Sequence, residues 1–333
     1  MLQRWFLIGA ALITPLLYTA SACSEELVVY SGRSDKFVKP VVKAFTERSG
    51  IKVLLHSAKS TALLNKMRVE GEHTQADLYL SNDAGNLQIG SDLGLFTPVS
   101  DAIADTIPAN LRAADNSWIG LSARARVLVV SNNAKDVGFV KSVFDLADPR
   151  LKGRLAITNS SNGSFIAGTT VYMLTAGKEK TKHWLEGMKA NVDGKVFDKH
   201  SKIVKAVASG KLDVGLVNHY YIYRHLAKEP DAPIHIVLPD QDGMGVAWNV
   251  AGIAISKYTK KRAAAEQFVA FLTSEEGQKI FAEMNREYPT RKGVAAAAEV
   301  PAAGSYVVND IAMSELGKQR SATIDLLEAV GMP

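Results

Sequence analysis

Short apolar runs alternate along this chain with stretches whose apolar residues return every three or four positions. Leu27-Val28-Val29-Tyr30 has the length and β-branched content of a strand. Phe37, Val38, Val41, Val42 and Phe45 then fall at helical spacing. Pro40 lies in that first turn, where its missing N–H costs little, and Gly50 is the stop. The same reading gives a strand over 51–55, a helix marked by Leu63, Leu64 and Met67, and a strand over 78–80. Further strands fall at 127–131, 155–157, 214–217, 234–238 and 250–255, and helices at 165–174, 181–188, 263–272 and 276–284. Residues 295–303 are small and low in complexity and read as a surface linker. A last helix follows near 321–330, with Ser321 as its N-cap. No internal repeat is visible. Strands alternating with helices predict an α/β fold on mostly parallel sheet, covered on both faces.

A chain of 333 residues is long for one core and suits two lobes. In sheets of this kind, ligands sit beyond the carboxyl ends of the strands. Four polar loops directly follow predicted strands: 31–35, 81–86, 159–164 and 218–221. The last opens Asn218-His219-Tyr220-Tyr221-Ile222-Tyr223-Arg224. A phenolate is a hard anionic oxygen donor that suits a hard, highly charged ion such as Fe³⁺. A free phenol titrates near ~10, so the ion must displace a proton, which a trivalent ion can do at neutral pH. Tyr220 and Tyr221 are therefore candidate ferric ligands. Tyr223, three residues from Tyr220, can share its face and is a further candidate. The same cluster also reads as an aromatic helix start packed on a sheet.

The start of the chain reads as a secretory leader. Arg4 is its only charge, a weakly polar to apolar run covers 5–20, and Ala20-Ser21-Ala22 supplies the small-residue exit. Residues 1–22 are thus expected to be a signal peptide, and the protein to work outside the cytoplasm. Cys23 is the one cysteine, so neither an internal disulfide nor a cysteine-rich zinc site can form. It stands where a lipoprotein acceptor would. Ala20, however, occupies the place a lipobox gives to Leu, and ordinary cleavage after Ala22 fits as well. The formal net charge is +5, with Lys and Arg scattered beside acids, as in Lys178-Glu179-Lys180 and Lys228-Glu229. No basic stripe is interleaved with aromatics, which argues against nucleic acid as a partner. A mild positive field would help to attract an anionic complex such as ferric citrate. His219 and His225 are the closest-spaced histidines and do not share a helical face, so zinc is not expected. No nucleophile–base pair, Gly-rich phosphate loop or metal triad is evident, and the chain does not read as an enzyme.

Asn159-Ser160-Ser161-Asn162-Gly163-Ser164 opens a helix. Free N–H groups and the helix dipole there suit an anion, with Ser161, Asn162, Gly163 and Ser164 as candidates; a plain N-cap is the other reading. Asp83 ahead of Ala84 and Asp35 ahead of Phe37 each read as a metal ligand or as a helix cap. Arg124 and Arg126 alternate on one face of a strand. Either could meet an anion with two parallel bonds, or pair with acids on the surface.

Several segments together resemble the substrate-binding proteins of ABC importers. More narrowly, they resemble the bacterial ferric-iron-binding proteins. They are Val29-Tyr30-Ser31-Gly32-Arg33, Ala76-Asp77 with Ser81-Asn82-Asp83-Ala84-Gly85-Asn86-Leu87, Trp118 through Arg126, Asn162-Gly163-Ser164-Phe165, Val217-Asn218-His219-Tyr220-Tyr221, Glu275-Glu276-Gly277-Gln278 and Tyr288-Pro289. Most are shared with the wider group; Asn-x-Tyr-Tyr is the specific one. The resemblance implies a two-lobed, hinged periplasmic binding protein fold, type II-like. Lobe 1 would cover 26–125, lobe 2 126–249, a return segment of lobe 1 250–303, and a C-terminal helix in 304–333 would pack on lobe 2. It implies Fe³⁺ on Tyr220 and Tyr221 with a synergistic anion (carbonate, phosphate or citrate) and, by analogy, Arg124 and Asn218 near that anion. It also implies a monomer that serves an inner-membrane permease and its ATPase. The chain departs from the pattern where many members have a His, or His-Tyr, in the first loop: Ser34 and Asp35 stand there. Asn82, followed by Asp83, stands where some have Glu, and Ser164 where others have Tyr. Remaining ligands are then expected from Asp35 or Asp83, Tyr223 or Tyr30, or from the anion and water. These departures keep open a binding protein of the same fold for an organic or oxyanion solute, such as a phosphonate, polyamine or thiamine-like compound.

Overall fold

The computed structural model describes residues 25–194 and 196–333; the expected signal peptide and Cys23 lie outside the described residues. The strands are β1 (Glu26–Ser31), β2 (Lys52–Ser57), β3 (Leu78–Ser81), β4 (Phe96–Thr97), β5 (Ile119–Ser131), β6 (Leu155–Thr158), β7 (Val196–Phe197), β8 (Val214–Asn218), β9 (Ile234–Val237), β10 (Trp248–Ser256) and β11 (Tyr288–Pro289). The helices are α1 (Asp35–Ser49), α2 (Ser60–Glu70), α3 (Ala84–Asp92), α4 (Asp101–Ala104), α5 (Gly163–Ala176), α6 (Lys178–Val192), α7 (His200–Ala208), α8 (Tyr220–Leu226), α9 (Arg262–Thr273), α10 (Glu275–Asn285), α11 (Glu315–Lys318) and α12 (Arg320–Val330).

Strands join in the order β2-β1-β3-β10-β5-β8-β6-β7, with β4 added to β10, and β9 and β11 added to β5. β1 lies parallel between β2 and β3, and β6 lies parallel between β7 and β8. The antiparallel strands β10 and β5 join these two groups. Helices cover both groups, which is why strands such as β3, β6 and β8 are buried throughout.

The long strand β5 belongs to both halves. Its first half pairs with β10, its second with β8 and β9, and all of its residues are buried. Apolar pattern alone predicts a strand only over 127–131, because Ser122, Arg124 and Arg126 break the run. Those polar side chains are buried in the structure: Arg124 lines a cleft, Ser122 bonds Arg33 and Glu287, and Arg126 bonds Asn218.

One buried apolar core runs through both halves. Phe45 of α1 packs on Phe268 and Phe271 of α9 at ring separations of 4.8 and 5.6 Å. Gly50 ends α1 with φ 74°, and its N–H bonds the Thr46 carbonyl. In the other half Trp184 meets Tyr172 edge-on at 5.0 Å and donates its indole N–H to the Val143 carbonyl.

The C-terminal segment spans the two halves: α11 packs on α3, and α12 packs on α5 and α6. Ser321 does not cap α12. The helix starts at Arg320, one residue after α11, so the chain arrives already turned and no side chain caps it.

Candidate cation and anion cleft

All four loops expected to meet do meet, at one cleft of about 210 Å³. Arg33, Ser34 and Phe37 line it from the first loop and α1, Asn82 and Asp83 from the second. Asn162, Gly163 and Ser164 come from the third, and Asn218, Tyr220 and Tyr221 from the fourth. Arg124, His200 and Glu287 complete the wall.

The tyrosine pair is delivered by β8, whose buried apolar residues end at Asn218, so that the chain turns into α8 at the cleft. The rings of Tyr220 and Tyr221 lie 4.4 Å apart. Tyr220 also meets the edge of Phe37, at 6.0 Å, across from α1. Titration of Tyr221 is pushed well above the ordinary phenol value, first by the negative charge Tyr220 would carry and then by burial. Two adjacent phenols resist losing both protons unless a cation sits between them.

Facing them is a set of hydrogen-bond donors. Arg124 is 5 % exposed. Its guanidinium makes no hydrogen bond or ion pair to any described side chain or carbonyl. Asn162 caps α5, its side-chain oxygen accepting from the Ser164 N–H at 2.9 Å, which leaves the start of a long helix open on the cleft. Asn218 accepts from Arg126 Nη1 at 3.2 Å through its oxygen and donates its amide N–H to Ser164 Oγ at 3.1 Å. Arg126 thereby orients the Asn218 amide toward the cleft. Burial lowers the Arg126 pKa to about 10, still protonated at neutral pH.

Other candidates are committed elsewhere. Asp83 does reach the wall, but Oδ1 accepts from the Gly85 N–H at 2.8 Å and Oδ2 from Arg320 Nη1 at 2.9 Å. Asp35 does not line the cleft; Ser57 donates to it and Lys39 pairs with it. Ser161 is exposed and bonds Asn159. Tyr223 packs toward His219, and Tyr30 bonds Lys66 and Glu70. Neither tyrosine lines the cleft.

Three wall residues escape a sequence reading. Arg33 and Glu287, far apart in the chain, form a buried two-point ion pair at 2.8 and 2.7 Å, with Ser122 bonded to both. Nothing local announces that pairing. His200 does leave a signal: it continues the stripe Ile203, Val204 and Val207 that α7 buries, so a polar residue stands at an apolar position.

Two sheet groups joined by β5 and β10, with a polar cleft at the junction, define a two-lobed solute-binding protein. Residues 41–306 match the family described as bacterial extracellular solute-binding proteins, and this chain belongs to it. Iron uptake protein A1 of Synechocystis is 30% identical over 92% of this chain and 87% of its own length. A Trichodesmium protein solved in complex with iron and citrate aligns with TM-score 0.83 at 30% identity, over 92% of this chain and 100% of its own. The ferric binding protein from Campylobacter jejuni aligns with TM-score 0.87 at 28% identity, over 92% and 100%. These relatives are uptake and binding proteins, and this chain is a binding protein, not an enzyme.

Proposed function

We propose that this protein captures ferric iron in the periplasm and hands it to an inner-membrane ABC permease driven by its ATPase. Tyr220 and Tyr221 bind the ion as phenolates, and a synergistic anion (carbonate, phosphate or citrate) completes its shell. The carrying observation is the pairing of two adjacent phenols with an unbalanced buried guanidinium across one small cleft.

Charge supports the anion. Arg33 is matched by Glu287 and Asp83 by Arg320. A trivalent ion on two phenolates leaves one positive charge, and the buried guanidinium groups of Arg124 and Arg126, neither paired with a carboxylate, add two more. An oxyanion would offset this excess, and the α5 N-terminus would favour it further, adding roughly half a positive charge. The ion selects the closed arrangement because groups on both sides of the cleft then contribute to the site. The protein acts as a monomer, and its periplasmic form begins after the signal peptide, with or without a lipid on Cys23.

The test is a visible titration of metal-free protein with ferric citrate. A red-orange charge-transfer band saturating near one iron per protein is expected. Tyr221→Phe should keep the fold, by circular dichroism, and lose tight iron binding; unchanged iron affinity in that variant would end the assignment. Arg124 and the helix terminus alone would also suit an organic solute bearing an oxyanion. That reading requires anion binding with no iron and no colour.

A further inference from the structure

Phe37 of α1 reaches across the cleft to the helix that carries the tyrosine pair. Its ring meets the edge of Tyr220 at 6.0 Å, and the Arg224 guanidinium lies over it, 4.8 Å from the ring centre. Through α1, Phe37 belongs to the half built on β1, β2 and β3, whereas Tyr220 and Arg224 belong to α8, which follows β8. The Phe37 carbonyl accepts from the Asn285 side-chain amide at 3.1 Å, which ties this residue to α10. Arg224 makes no ion pair or hydrogen bond among the described residues, and its Nη1 is buried. The face of an aromatic ring attracts a guanidinium through its quadrupole, more strongly where water is excluded. Arg33 and Lys36 lie against the same ring, at 5.4 and 5.0 Å, but from its own side of the cleft, and Arg33 is already matched by Glu287.

Lys36 faces Arg224, Lys228 and Lys199 of the other half, and burial, then those three positive charges, lower its pKa. Like charges on the two sides of the mouth push the halves apart. Tyr220 and Tyr221 both come from α8, and Asp35 of the first loop is turned to Ser57 and Lys39. An ion on the two phenols therefore finds no free carboxylate on α1 to pull the halves together. We propose that Phe37 is the latch of the closed cleft: in contact with Arg224 and with the edge of Tyr220, its ring holds the halves together and slows escape of the bound solute. The latch rests on the closing motion in the proposed function and not on iron being the solute.

The experiment is a double-mutant cycle on the mature protein: wild type, Phe37→Leu, Arg224→Gln and the double variant. Leu keeps apolar bulk and removes the ring face; Phe37→Met takes its place if thermal melts show that Phe37→Leu does not fold. Each protein is loaded with ferric iron and mixed with excess EDTA, and the decay of the coloured band gives the release rate. Small-angle scattering of the same four proteins without iron gives their radii of gyration. Phe37→Leu should release iron faster and be less compact than the wild type. Arg224→Gln removes both the ring contact and the repulsion of Lys36, so its effect alone does not isolate the latch. The cycle does, because the repulsion is lost equally in both backgrounds. Loss of the guanidinium should speed release about threefold to tenfold more when Phe37 is present than when Leu replaces it.

Equal effects of Arg224→Gln in the two backgrounds would overturn the proposal, since the two side chains would then act independently. So would a folded Phe37→Leu that releases iron at the wild-type rate. If no coloured band forms in any of the four proteins, the iron assignment falls and scattering alone decides the latch. A Phe37→Leu less compact than the wild type then keeps it, and equal radii end it.

Discussion

Arg124 carries a buried charge that no carboxylate of the described chain meets directly. An uncompensated buried charge is costly, and the anion proposed above would offset that cost. Arg124→Gln is therefore expected to leave the thermal midpoint of the iron-free protein unchanged or raised. The same variant should bind its anion at least about tenfold more weakly, the loss of one charge-assisted bond. A lowered midpoint with unchanged anion affinity would make Arg124 structural. Asp83 is the opposite case. Its oxygens are taken by a helix start and by Arg320, so it shapes the wall without being free to hold an ion.

At the scale of elements, α8 is joined to β5 and to the segment after α10 by His219. The His219 Nδ1 accepts from the Ala125 N–H at 3.1 Å, and Nε2 donates to the Arg286 carbonyl at 2.8 Å. One nitrogen accepting and one donating requires the neutral ring. Burial accordingly lowers its pKa from 6.5 to about 4. An unfolded chain protonates this group near pH 6.5 while the folded chain does not. The stability this group contributes is therefore complete above about pH 6.5 and is lost as pH falls toward 4. The amount is roughly 3 kcal/mol at ~1.4 kcal/mol per unit. Urea unfolding at pH 7, 5 and 4 should show the stability gap between wild type and His219→Gln shrinking across that range. A gap independent of pH would mean His219 is not the titrating group.

Over the whole molecule, the two sheet groups are held by the strands β5 and β10 and also by the C-terminal segment, which lays α11 on α3 and α12 on α5. Gly317 sets the first of these contacts. A Cβ there would lie 2.5 Å from the Gln88 Cβ and 2.9 Å from the Gly85 carbonyl oxygen. Neither atom is the free end of a flexible side chain. Gly317→Ala should thus push α11 off α3 and lower stability by about 1–3 kcal/mol. Hydrogen exchange should report the loss first in α3 and α11. Unchanged protection there would mean the segment tolerates the displacement.

Local pattern was enough for much of this protein. The apolar spacing of α1, with its Gly50 stop, and the short runs of β1, β3 and β8 follow from side-chain period and backbone freedom, which are properties of neighbouring residues. The four loops that meet at the cleft were legible for the same reason, since each directly follows a buried strand. Tyr220 and Tyr221 stood out by chemistry and spacing. Tertiary structure decided what depends on distant partners. It buried Ser122, Arg124 and Arg126 in one long strand, joined Arg33 to Glu287, gave Asp83 to Arg320, and turned Asp35, Ser161 and Tyr223 away from the cleft. It also carried His200 to the ring of Tyr221. The charge and hydrogen-bonding state of a buried polar group are set by whatever packs beside it, and nothing in its own stretch of chain specifies that neighbour.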